Sequence, residues 1–194
     1  ASPPKASAVF TIVFTGLFYD SFRPNCFLKA MNELIAEQVI PPEKITIRFV
    51  GANTASDIDE PDDYGICEFT GFVSRSQATA FLMEADLTLL LLSRERGSGV
   101  IPSKIFDYLA VGKPILAVVP PGGSAAEIVR QTRTGYIADF ADTRQIKTVV
   151  KQLFLEWQSS GTLSINPDRD AIDHYNVRTL VAKLADHIET MVST

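Results

Sequence analysis

The chain has 194 residues, 46 % hydrophobic and 21 % charged, with 18 basic against 23 acidic side chains and a formal net charge of −5. That length suits one large domain that needs no disulfide or metal to fold, and two cysteines, Cys26 and Cys67, are too few for a disulfide scaffold or a four-ligand zinc site. The acidic balance argues against nucleic acid as partner, and no apolar run approaches the ~18–20 residues of a membrane-spanning helix, so a soluble, cytoplasmic domain is expected.

Residues 1–8 read as the remnant of an interdomain linker, with small residues, two prolines and no signal-peptide pattern. The domain proper then runs over 9–194, with 141–194 its C-terminal helical part. Val9–Thr15 is the first strand. Phe27, Ala30, Met31, Leu34 and Ile35 follow at helical spacing. Ile45–Val50 is the second strand, and the acidic loop of Asp57, Asp59, Glu60, Asp62 and Asp63 reads as solvated rather than calcium-binding. Ile66–Thr70, Asp86–Leu92, Pro114–Val119 and Gly135–Ala138 complete six strands. Several are apolar at consecutive positions, as parallel strands covered on both faces require. Ser124 and Glu127 have the spacing of a capping box that opens a helix after Gly122-Gly123. Two more apolar stripes follow: Ile146, Val149, Val150, Leu153, Phe154 and Trp157, then Val177, Leu180, Val181, Leu184 and Ile188.

Strand–helix alternation predicts an α/β fold with a doubly wound, mainly parallel sheet, most simply in the order 3-2-1-4-5-6. Ligands of such sheets sit beyond the carboxyl ends of strands 1 and 4, where the order reverses. Two loops are thereby nominated, Gly16–Arg23 and Ser93–Ile101. In the second, Gly97, Ser98 and Gly99 lead into Pro102-Ser103-Lys104, with proline suited to a first helical position. Glycines admit a ligand close to the backbone, and a helix start offers unpaired N–H groups and a positive dipole end. Ser103 and Lys104, with Arg23 from the other side, suit a phosphate or diphosphate; a flexible turn beside a solvated lysine is the competing reading. Asp107, three residues beyond Lys104, suits ribose hydroxyls or is a surface pair with that lysine. No dinucleotide-type G-x-G-x-x-G follows the first strand, no Walker lysine motif exists, and His174 and His187 lack partners for a triad or zinc site.

The run Pro102-Ser103-Lys104-Ile105-Phe106-Asp107-Tyr108-Leu109-Ala110-Val111-Gly112-Lys113-Pro114-Ile115 resembles the P-S-K-x-x-E-Y-x-A-x-G-K-P-[IV] signature of bacterial family-4 glycosyltransferases. Upstream Phe69-Thr70-Gly71-Phe72-Val73 and Ala85-Asp86-Leu87 fit the same family, as do Gly122-Gly123, Glu127-Ile128-Val129 and Gly135-Tyr136-Ile137 downstream. The resemblance implies the C-terminal, Rossmann-like half of a two-domain GT-B enzyme, which binds the nucleotide-sugar donor. It assigns Asp107 to the ribose, and Gly16, Arg23, Gly97, Ser98, Gly99, Ser103 and Lys104 to the diphosphate. Phe72 and Val73 would contact the base. The implied reaction moves a sugar from a nucleoside diphosphate, UDP first, to an acceptor hydroxyl, with retention and without a metal or other cofactor. The partners are the nucleotide sugar, an N-terminal half carrying the acceptor-side groups and, for the full enzyme, the inner face of a membrane; polysaccharide assembly is the family's usual setting. This chain alone would then turn over nothing, and no catalytic residue is assigned within it.

Two departures stand out. The family's E-x7-E motif places a glutamate where this chain has Gly99, leaving Glu95 as a substitute, and its second glutamate is here the shorter Asp107. A GT-B nucleotide-sugar epimerase and a non-catalytic nucleotide- or flavin-binding module are the alternatives. The first needs cleft histidines, and the second a receiver- or flavodoxin-type loop where the chain has Thr15-Gly16.

Overall fold

A computed structural model describes residues 8–18, 23–51, 54–93 and 99–176, with the single positions 179, 181, 185, 188 and 191. The strands are β1 (Phe10–Thr15), β2 (Ile45–Val50), β3 (Cys67–Phe69), β4 (Leu87–Leu91), β5 (Ile115–Val118) and β6 (Gly135–Ala138). They form one sheet in the order β3-β2-β1-β4-β5-β6, and every ladder is parallel. The helices are α1 (Asn25–Ala36), α2 (Arg75–Glu84), α3 (Lys104–Val111), α4 (Ser124–Thr132), α5 (Thr143–Ser160) and α6 (Arg169–Asp173).

Consecutive apolar residues in the strands divide by parity between two cores. Phe10, Ile12, Phe14, Leu87, Leu89, Leu91, Leu116 and Val118 face one side, where α1 and α5 cover them. Val13, Leu90, Leu92, Ile115, Ala117 and Val119 face the other, beneath α3 and α4. A central strand can therefore lack polar residues and still obey the two-residue period. The buried Thr88 is satisfied within the sheet, its hydroxyl donating to the Pro114 carbonyl at 3.1 Å. The first core is strongly aromatic. Phe10 meets Phe154 edge-on at 6.0 Å and Trp157 at 5.3 Å, so the last long helix locks onto the first strand. Across the outer surfaces of these two helices, Lys147 of α5 ties to Glu33 and Glu37 of α1.

Several local expectations change. The third strand is assigned to Cys67–Phe69, although the Ile66 carbonyl and the Thr70 N–H still bond β2 at 2.8 and 3.2 Å, and Asp62 accepts from the backbone N–H groups of Ile66 and Cys67 at 3.0 and 2.9 Å at its entry. Its loop is thus not simply solvated acid: Asp57 accepts from Thr54 in a cap, and Asp59 holds Arg23 and Asn25. Ser124 is the first residue of α4 rather than its cap; Gly123 occupies the cap without a side-chain bond, so the capping box is not formed. Pro102 precedes the cap residue Ser103 instead of opening α3. In the last stripe, Val181 and Ile188 are exposed, and Val177, Leu180 and Leu184 lie outside the described residues, as does the expected linker before Ala8.

Phe154 is fully buried against two aromatic partners, so Phe154→Ala should lower unfolding free energy by about 3–5 kcal/mol, read by chemical denaturation with an unchanged slope.

Candidate functional site

The order of the sheet reverses between β1 and β4, and their ladder is short, pairing only Ile12 with Leu87 and Val13 with Thr88. Beyond it the two strands part. Tyr108 of α3 fills the fork. Its hydroxyl is completely buried, accepts from the Thr15 backbone N–H at 3.1 Å and the Thr15 hydroxyl at 3.3 Å, and donates to the Leu89 carbonyl at 3.1 Å. Burial pushes this phenol up to about 12, so it remains a neutral donor at any ordinary pH.

One turn before Tyr108, on the same side of the helix, Lys104 lies over the tip of β1. Its Nζ stands 3.7 Å from the centroid of the Phe14 ring. It also crowds Gly16, where a Cβ would lie 2.9 Å from Nζ. Gly16 has φ +116, and its N–H extends the β1–β2 ladder to the Val50 carbonyl at 2.8 Å. Next to it, Gly51 has φ +148, and a Cβ there would come within 2.3 Å of the Gly16 carbonyl oxygen. Both positions therefore disfavour side chains by conformation, and Gly51 excludes one by backbone contact as well. Gly51 also bridges to Gly71, just past β3. The carboxyl edge of β1, β2 and β3 is a floor of bare backbone with one lysine above it.

Lys104 is half-buried, and among the described residues no carboxylate lies within salt-bridge distance of its amine. Desolvation brings its pKa down from 10.5 to about 7. The start of α3 adds donors. The N–H groups of Ile105 and Phe106 turn back to the carbonyls of Pro102 and Ser103 at 3.1 Å, whereas those of Ser103 and Lys104 have no protein partner among the described residues. Ser103 is exposed, and its side chain makes no cap. The arrangement suits a ligand that brings negative charge and several acceptor oxygens.

The remaining nominated residues are placed as follows. Asp107 does not pair with Lys104; it points to α2, where Arg75 reaches it at 3.4 Å. Both line a groove of about 520 Å³ whose walls include Phe106, Ala110, Ile172 and Tyr175. Arg23 is not aimed at Lys104, since its guanidinium pairs with Asp59 in the acidic loop. Val73 packs on the second core, while the Phe72 ring is 88 % exposed. Gly99 has open space around it, and Gly97 and Ser98 lie outside the described residues. Sequence reading passed over Tyr108, Phe14 and Arg75. Only the last had a local signal: Ser74 and Gln77 form a capping box that sets the start of α2.

The chain matches the family described as group 1 glycosyl transferases over residues 9–156. It belongs to that family. No curated protein sequence matches the chain. Among solved structures, Anabaena Alr3699/HepE in complex with UDP and glucose shares 16 % identity at TM-score 0.66, over 94 % of this chain and 49 % of the other. WaaG, a glycosyltransferase involved in lipopolysaccharide biosynthesis, gives 13 %, 0.62, 93 % and 47 % in the same terms. Sucrose-phosphate synthase from Thermosynechococcus elongatus gives 13 %, 0.65, 96 % and 47 %. At such identities the likeness establishes the Rossmann-like fold of GT-B enzymes. The chain spans about half the length of these proteins. No described helix is long and apolar enough to cross a membrane.

Two outcomes follow for this group 1 domain. Tyr108→Phe keeps the ring but strips the Thr15 N–H and the Leu89 carbonyl of their shared partner, and should cost about 1–3 kcal/mol in denaturation. The second concerns pH. Between about 7 and 10.5 the unfolded chain holds a proton on residue 104 that the folded chain has released, so folding gains as pH rises through that window. Lys104→Met should therefore be more stable than the parent at and below neutrality, and a series of melting temperatures should show the difference shrinking towards pH 10.

Proposed function

We propose that this chain is the donor-binding half of a glycosyltransferase of bacterial family-4 type, which moves a sugar from a nucleoside-diphosphate sugar to an acceptor hydroxyl. The observation that carries the reading is Lys104, a basic side chain with no counter-ion among the described residues, held over the backbone of Gly16 at the start of α3. Membership of the group 1 family and a length about half that of its structural relatives support it. HepE is described in complex with UDP and with UDP-glucose, which favours a UDP-sugar as the first donor to try. The N-terminal half and the acceptor-side groups belong to the remainder of the enzyme, and peripheral association with the cytoplasmic face of a membrane remains part of the proposal.

In this reading the diphosphate lies across Gly16 and the free N–H groups of Ser103 and Lys104. As the glycosidic bond to the diphosphate breaks, charge accumulates on the departing oxygen, and fixed donors there lower the barrier more than mobile water would. Retention at the sugar carbon and independence from metal are proposed on the family resemblance. Asp107 accepts from ribose hydroxyls once it exchanges its long contact with Arg75, and Arg23 joins the phosphates by leaving Asp59. Phe72 and Val73 stand for the base, and Glu95 for the sugar contact that Gly99 does not offer.

Calorimetry with UDP-glucose, GDP-mannose and ADP-glucose tests the proposal. One of them should bind, and Asp107→Ala should weaken it about tenfold or more, the scale of a charged hydrogen bond. Binding by none, or affinity undiminished in both Asp107→Ala and Gly16→Ala, would overturn the site.

A further inference from the structure

We propose that Lys104 takes up a proton when the donor's diphosphate binds, so that this site holds its donor progressively more weakly as the pH rises above neutrality. The inference rests on the reading of Gly16 and Lys104 as the diphosphate site, and adds a proton to the binding reaction.

The geometry carries it. The amine stands 3.7 Å from the centroid of the Phe14 ring and fills the space that a side chain at Gly16 would take, on a residue that is half-buried. A ring face attracts an ammonium ion, yet that attraction is far weaker than the hydration an ammonium gives up. Among the described residues nothing anionic restores the loss. On α3 itself the titratable neighbours are Asp107, which turns to Arg75, and Tyr108, whose neutral hydroxyl is spent on Thr15 and Leu89. β1 brings only Phe14, Thr15 and Gly16 to this end, and β2 brings Val50 and Gly51. Ahead of α1, Arg23 is neutralised by Asp59, and on α2 Arg75 is held by Asp107. Burial is accordingly the whole cause of the depressed pKa of about 7. At pH 8 most empty sites hold a neutral amine.

A diphosphate diester carries two negative charges, and neither titrates near neutrality. Bound against Nζ, it supplies the counter-charge that the protein omits and draws the lysine back to its cationic form. Binding and protonation are then one linked equilibrium: where the empty site is deprotonated and the filled site protonated, the association constant falls about tenfold per pH unit. Below neutrality the amine is already charged and the dependence disappears.

The measurement is calorimetry of the chain with UDP-glucose, GDP-mannose and ADP-glucose at pH 6 to 9, repeated both at pH 6 and at pH 8 in three buffers of differing ionisation heat that buffer at that pH. The apparent heat should vary with buffer to give an uptake approaching one proton at pH 8 and falling towards zero at pH 6. Lys104→Arg keeps a charge at every pH in this range and should bind with neither uptake nor pH dependence. Lys104→Met should bind weakly throughout and without uptake. Binding whose heat is the same in all three buffers would overturn the inference and leave the donor site standing, as would uptake that persists in both variants. If none of the three sugars binds, the donor reading falls and takes this inference with it.

Discussion

A single buried hydroxyl joins the halves of this sheet where its hydrogen bonding gives out. β1 and β4 must diverge at the point of reversal, and divergence would strand a backbone donor on one strand and an acceptor on the other. Such groups are costly to bury unpaired. Tyr108 accepts from Thr15 and donates to Leu89, so both of these backbone groups are paired where the fork opens. The same bonds fix α3 in rotation and height, because Lys104 and Tyr108 share one helical face. With Tyr108 anchored on Thr15, Lys104 has to lie over Phe14 and Gly16. Folding and the placement of Lys104 thus share one constraint.

The electrostatics of the site follow from that placement and from a division of roles among its cations. Arg23 and Arg75 reach into solvent and find carboxylates, which keeps their charge inexpensive. Lys104 has no carboxylate within reach among the described residues and so carries the cost of desolvation. A net charge of −5 on the chain is compatible with an anion site because the acids are occupied elsewhere, in capping the acidic loop and tying α1 to α5.

Sheet order and core faces were legible because they follow from parity and from the handedness of crossovers, and both act on short stretches of sequence. The run from Pro102 to Ile115 carried the family, and glycine at 16 carried the close approach. Other features were hidden for a common reason. The Arg23–Asp59 and Arg75–Asp107 contacts join residues 36 and 32 positions apart, and no local pattern announces such a pair. Tyr108 lies in an apolar stripe, where an aromatic reads as core, and its hydroxyl gains meaning only once two strands separate above it. Ser124 misled because a serine three residues before a glutamate has the same spacing whether it caps a helix or begins one.

The meeting of Gly16, Gly51 and Gly71 has a consequence for how this domain can diverge. All three hold a positive φ that side chains rarely adopt, and at Gly51 a substitution also collides with the Gly16 peptide. This edge of the sheet is therefore closed to gradual adjustment. Variation is easier at the border, where the side chains of Phe72, Arg75 and Ser103 are exposed. A lineage built on this scaffold can change what it selects by redecorating a rim while inheriting its foundation intact.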